Sequence, residues 1–208
     1  MRKLMVMAFV SLDGVVQGPG GPDEDREGGF TQGGWAVPFF DAAMMGLMAE
    51  GAARMGALLL GRKTYDMFAA AWPLTTADDP IGARLNAVPK YVASRTSPEL
   101  SWRNSTLLDG DVADAVRKLR QEEGGEIQVH GSGDLVQTLL AQDLVDEFHL
   151  LTFPVLVGSG KRLFGTGTTP GAFKITGSTV SETGVVISSY VRDGALTHGL
   201  LGPETGNW

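Results

Sequence analysis

The feature that most constrains this chain is a recurring unit: a short strand-like run, a glycine turn, then a helical period. "LLLGRKTYDMF" (58–68) and "IQVHGSGDLVQTLL" (127–140) show it in full, and "KLMVMAFV" (3–10) is apolar at every position after its lysine. A strand with no polar face has nothing to offer water, so it must be covered on both sides, as parallel strands of an α/β sheet are. "ALLL" (57–60) has the same texture, and "KYVAS" and "IQVH" are shorter versions. Helical periods lie between these runs. Val112, Ala115, Val116 and Leu119 follow the N-cap candidate Asp111, and Leu135, Leu139 and Leu140 follow Ser132. Strands alternating with helices predict an α/β fold: a mostly parallel central sheet with right-handed crossovers and helices on both faces.

The end of the chain changes character. "LVDEFHLLTFPVLVG" reads as a strand, and "AFKITGSTVSETGVVISSYVR" as two strands around "SETG", an antiparallel hairpin at one edge of the sheet. The 208 residues suit one domain, expected over 1–192, followed by an irregular tail at 193–208. Two glycine-rich loops interrupt the pattern, at 17–34 and 157–171. The first is open to two readings, a mobile lid or a disordered surface insertion.

Composition removes several classes of function. A net charge of -7 with interspersed signs gives nucleic acid no basic stripe to bind. The absence of cysteine excludes disulfides, thiolate metal sites and cysteine nucleophiles, and suits a cytoplasmic protein. No run approaches the ~20 apolar residues of a membrane span, and "MRKLMVMAFV" leads into "SLDG" without a cleavage site, so a buried first strand is expected. The partner expected is a small molecule, with a homodimer compatible with the apolar content.

Known spacings remove more. "VGSGKR" lacks the first glycine and the final Ser or Thr of a phosphate-binding P-loop. His130, His149 and His198 make no metal-ligand spacing, so no metal is expected. Gly131 and Gly133 open a helix after a strand, but Val136 stands where a dinucleotide fingerprint needs its third glycine. Anion capture at this turn, or simple helix capping, remain as readings. "GRKT" (61–64) repeats the design, and Ser94 and Arg95 in "VASRT" follow a third strand. These strand ends should share the edge where ligands of open α/β sheets bind. Asp13 in "SLDG" and Asp41 in "WAVPFFD" are the acid–base candidates. Asp41 is either an acid raised in pKa by Trp35, Phe39 and Phe40 or a helix-start carboxylate.

Together these segments resemble the dihydrofolate reductase superfamily, and within it the reductase domain of the bifunctional riboflavin-biosynthesis deaminase-reductase. "MAFVSLDGVV" looks like the first strand and turn, "LLLGRKTYDMF" is similar to the family's G-R-x-T turn, and "VHGSGDLVQTLLAQDLVDEFHLLTFPVLVGSGKRLF" resembles the reductase domain's C-terminal signature. The resemblance implies a dihydrofolate reductase-like three-layer fold and NADPH as cofactor. It would place Gly61, Arg62, Lys63 and Thr64 at the phosphates, and Ser94 and Arg95 at the adenosine 2′-phosphate. Gly131, Ser132, Gly133 and Asp134 would form the pyrophosphate turn, with Asp13 or Asp41 orienting substrate or relaying a proton. The implied activity is hydride transfer to a small heterocycle or sugar-linked pyrimidine, as in the riboflavin-pathway uracil reductase. Dihydrofolate or pteridine reduction and a non-catalytic NADPH-binding module are the alternatives. Two positions depart from the riboflavin pattern: Val15 stands where S-x-D-G-K has lysine, and His130 where E-G-G has glutamate.

Overall fold

A computed structural model describes residues 1–76 and 78–202. The described residues form an eight-stranded sheet in the order β4-β3-β2-β5-β1-β6-β8-β7. Its strands are β1 (Leu4–Ser11), β2 (Met55–Gly61), β3 (Lys90–Ala93), β4 (Ser105–Leu107), β5 (Glu126–Val129), β6 (Glu147–Phe153), β7 (Phe173–Val180) and β8 (Val186–Arg192). β1 to β6 run parallel, and β8 and β7 add the antiparallel hairpin at the β6 side. The expected mixed sheet is therefore what the chain forms.

The helices are α1 (Ala42–Arg54), α2 (Arg62–Ala71), α3 (Pro80–Ala87), α4 (Val112–Gln121) and α5 (Gly133–Ala141). They divide between the two faces. Leu4, Val6, Leu59, Ile127 and Val129 point into a core closed by Val116 and Leu119 of α4 and by Leu135 and Leu139 of α5. Leu58, Leu60 and Val92 face the other way, against Ala52 of α1, Tyr65 of α2, and Ile81 and Leu85 of α3. Consecutive leucines of β2 thus serve opposite cores. Each such burial stabilises the fold by about 1.5–3 kcal/mol, and the unbroken apolar run follows from it.

The sheet's amino-terminal edge is closed by polar groups that satisfy one another. Buried Arg120 donates to both oxygens of Asp146 at 2.8 and 2.7 Å, and Asp146 also accepts from Leu4 N at 2.8 Å. Lys90, fully buried, donates to the carbonyls of Asn86 at 3.0 Å and Arg103 at 3.1 Å, and lies 4.3 Å from the centre of the Trp102 ring. Asn86 in turn accepts from Trp102 Nε1 at 2.7 Å. Desolvation pulls the Lys90 ammonium down to about 8.

The 17–34 loop is not a disordered insertion. Gln17, 4% exposed, donates to the carbonyls of Asp25 and Glu27 at 3.2 and 3.0 Å and accepts from Lys161 N at 3.0 Å. Phe30 is buried, and Trp35 donates to the Gln17 carbonyl at 2.8 Å. A buried amide thus organises a segment whose composition alone suggests coil. At the other end of the chain, residues just past β8 bond back to Ala172; residues 203–208 of the expected tail lie outside the described residues.

Candidate active site

β2 and β5 are neighbours in the sheet, so the turns that follow them emerge side by side. Gly61 N donates to the Gly131 carbonyl at 2.9 Å, and a Cβ on Gly61 would lie 2.9 Å from Ser132 N and closer still to its hydroxyl. Gly131, at φ 130°, presses in the same way on Thr64: a Cβ there would meet Thr64 Oγ1 at 2.8 Å. Glycine at both positions lets two backbones touch where side chains would separate them. The expected residues Gly61, Thr64, Gly131 and Ser132 therefore form one continuous surface, with the Gly131–Ser132 peptide cis. Gly133 and Asp134 open α5, Asp134 exposed.

Two helices begin at this surface, and neither carries a side-chain cap. Gly61 precedes α2 with no side chain to offer, and Ser132 precedes α5 without making a capping bond. Their first N–H groups are left to other acceptors, and the positive ends of two helix dipoles converge. Ser94 and Arg95 follow β3, whose last residue Ala93 pairs with Gly61. The Ser94 hydroxyl accepts from Thr96 N at 3.1 Å, while Arg95 is exposed and has no ion pair among the described residues.

The basic residues of "GRKT" are already engaged. Arg62 Nε lies 2.7 and 2.6 Å from the two oxygens of Asp66, one turn along α2. Lys63 pairs with Glu27 of the 17–34 loop, and Glu27 also meets Lys161, which bonds Asp25 at 2.6 Å. These contacts tie the loop to the start of α2, a link that no local sequence pattern announces.

The two acids lie farther along the edge and are bound up in structure. Asp13 sits just past β1, accepting from the Ser11 hydroxyl at 2.6 Å and from Val157 N and Gly158 N at 3.1 and 2.8 Å. The Ser11 bond and these amides lower its pKa to about 2. Asp41 is the N-cap of α1. One oxygen accepts from Met44 N at 2.8 Å, the other from Thr183 N at 3.1 Å and its hydroxyl at 3.0 Å. Of the two readings of Asp41, the acid raised by its aromatic neighbours is corrected and the helix-start carboxylate is borne out: the Met44 amide first, then the Thr183 amide and hydroxyl, lower its pKa to about 2. These three bonds outweigh the apolar surroundings.

On the α1 side of the sheet, Met7 and Phe9 are only partly buried although β1 lies near the middle of the sheet, while Ala8 faces the α4–α5 core. Phe9 meets Phe40 edge-on at 5.7 Å and Phe153 at 5.4 Å, and Phe68 of α2 meets His130 at 6.0 Å. Aromatic side chains, Phe40 among the exposed ones, thus lie on this face of the sheet. His130, half-buried beside Phe68, is pushed down to about 4 by desolvation. No helix is long and apolar enough to cross a membrane, and no group of three or more metal-ligating side chains occurs among the described residues.

The strand order, the terminal hairpin and the twin turns at the carboxyl edge define the dihydrofolate reductase-like class. Within it, the model of the RibD C-terminal domain matches residues 2–187, and the chain belongs to that family. The Bacillus subtilis (strain 168) protein YyaP is 26% identical over 166 residues, spanning 78% of this chain and 80% of its own. YwjB of the same organism is 25% identical over 165 residues, spanning 78% and 83%. Among solved structures, a Shewanella sp. PV-4 protein assigned to riboflavin biosynthesis superposes with a TM-score of 0.66 at 24% identity, over 92% of this chain and 99% of that one. The Enterococcus faecalis dihydrofolate reductase complexed with NADP(H) superposes at 0.58 with 11% identity, over 92% and 96%. The last two likenesses are of fold.

Proposed function

We propose that the protein is an NADPH-dependent reductase that delivers hydride to a C=N or C=O carbon of a small heterocycle or sugar-linked pyrimidine. The observation that carries this reading is the pair of uncapped helix starts, α2 and α5, brought into contact by Gly61 and Gly131. A dinucleotide fits such a surface, because its diphosphate needs N–H donors reachable without intervening side chains. Family membership and the NADP(H) bound to the E. faecalis reductase support it.

In this reading the amides of α2 and α5 hold the diphosphate, helped by the Thr64 and Ser132 hydroxyls. Lys63 adds charge once Glu27 releases it. Arg95 takes the 2′-phosphate with Ser94, since a free guanidinium forms a charge-assisted fork with phosphate oxygens. When bound, the nicotinamide supplies the hydride, and the protein supplies position and exclusion of water. The aromatic side chains on the α1 face take the substrate ring. Asp13 and Asp41 act by positioning: the first pins residues 157–158 to the β1 turn, the second fixes the start of α1.

Titration with NADPH, followed by nucleotide fluorescence and thermal melting, is expected to show saturable binding and a raised melting temperature. No response at high micromolar NADPH would remove the foundation of the proposal. Both acids are already engaged by hydroxyls and backbone amides, which favours one other reading, a binding module without turnover. NADPH consumption with any pteridine, phosphoribosyl pyrimidine or small ketone rules that out.

A further inference from the structure

β5 is buried in the middle of the sheet, yet it carries polar side chains at alternate positions: Glu126, Gln128 and then His130 just past its end. Alternate residues of a strand share a face, so this stripe runs along the α1–α2 side toward the carboxyl edge. Its members are joined. Arg54 Nε lies 3.5 Å from one oxygen of Glu126; the other accepts from Gln128 Nε2 at 3.3 Å. The same Gln128 nitrogen donates to the Gly51 carbonyl of α1 at 2.9 Å, and Gln128 Oε1 lies 3.3 Å from His130 Nε2.

Each link dictates the next. The Gly51 carbonyl can only accept, so the amide nitrogen of Gln128, 1% exposed, must face it. The amide oxygen then faces His130, and an oxygen can only accept, so the hydrogen of the imidazole lies on Nε2. A neutral imidazole with hydrogen on one nitrogen has a lone pair on the other. Burial of the ring keeps it neutral through the physiological range. No hydrogen-bond donor reaches Nδ1 among the described residues, and Phe68, edge-on at 6.0 Å, packs against the ring.

We propose that His130 is a specificity-determining residue: the Glu126–Gln128 stripe fixes its tautomer so that Nδ1 accepts a hydrogen bond from an N–H of a neutral heterocycle bound beside Phe68. This rests on the reductase reading and names the substrate class of the same site. A ring bearing an N–H satisfies the lone pair. A carboxylate, with no hydrogen to give at neutral pH, meets it lone pair to lone pair and is disfavoured. Gln128 is a positioning residue, acting only through His130.

Long-range nitrogen–proton NMR of uniformly labelled, NADPH-saturated protein reads the tautomer directly. The expected result is a protonated Nε2 and a bare Nδ1 on His130, with Gln128→Leu giving a mixture of tautomers. Uracil, whose ring N–H groups are its donors, is expected to shift the Nδ1 resonance, whereas 1,3-dimethyluracil is not. His130→Leu should weaken uracil binding by about tenfold, the worth of one hydrogen bond. His130→Asn, whose Oδ1 replaces Nδ1 as an acceptor, should restore most of it. Hydrogen on Nδ1, an Nδ1 unmoved by saturating uracil, or equal losses in the Leu and Asn variants overturns the proposal. Failure of the wild type to bind NADPH in the same samples would instead count against the reductase reading.

Discussion

The helix starts of this protein fall into two groups. α1, α3 and α4 each begin on an aspartate whose side chain accepts from a backbone amide of the first turn: Asp41 from Met44, Asp79 from Ile81, Asp111 from Asp114. α2 and α5 begin on Gly61 and Ser132 with no such bond, and they are the two that touch. Capping satisfies a helix and closes it to ligands; a missing cap leaves donors without an acceptor from the chain. On the proposed reading the contrast separates helices that serve the architecture from helices that serve binding, and it can be broken at defined positions.

The largest effect is expected from Gly61→Val. Its side chain collides with Ser132 and parts the two turns. NADPH binding should fall below detection in calorimetry, with a loss of about 1–3 kcal/mol in stability from overpacking. Next comes Arg95→Ala. Loss of a charged hydrogen bond should weaken NADPH by about 1.5–3 kcal/mol while NADH affinity stays the same; equal losses for both would remove Arg95 from the 2′-phosphate.

Ser132→Asp converts α5 to the other group. A carboxylate placed at the helix start should weaken NADPH by about 1 kcal/mol and raise the melting temperature slightly, through the same dipole. Asp111→Ala is the reciprocal change at α4. It should lower stability by about 1 kcal/mol in urea unfolding and leave NADPH affinity unchanged, since its cap belongs to the architecture. A cofactor effect at Asp111 would dissolve the distinction between the groups.

The parts legible in the sequence are those whose physics is local. Apolar runs announce β1 and β2 because burial on both faces leaves them almost no polar position, and α4 shows its period behind Asp111. α3 is hidden because its buried side includes Gly82 and Asn86, which carry no hydrophobic signal, and β4 is a three-residue strand. At the site, Gly61 and Gly131 were visible as turns after strands, but their contact depends on β2 and β5 being neighbours. Asp41 shows the same limit. Its aromatic surroundings are written beside it, whereas Thr183, which helps hold it as an anion, comes from the distant hairpin. Gln17 and Gln128 are buried amides, each with a partner far off in the sequence, Lys161 and Gly51.

The place of β1 in the strand order also bears on how the protein is made. Its neighbours are β5 and β6, and its first paired residue, Leu4, meets Ile127. At roughly 5–20 residues per second of synthesis, the most apolar strand of the chain waits about 6–25 s on the ribosome before a partner exists. β2 and β3, close in sequence, can pair well before then. "LMVMAFVS" is thus the segment a nascent chain must keep shielded longest, and the one on which a chaperone or a misfolded neighbour would first act.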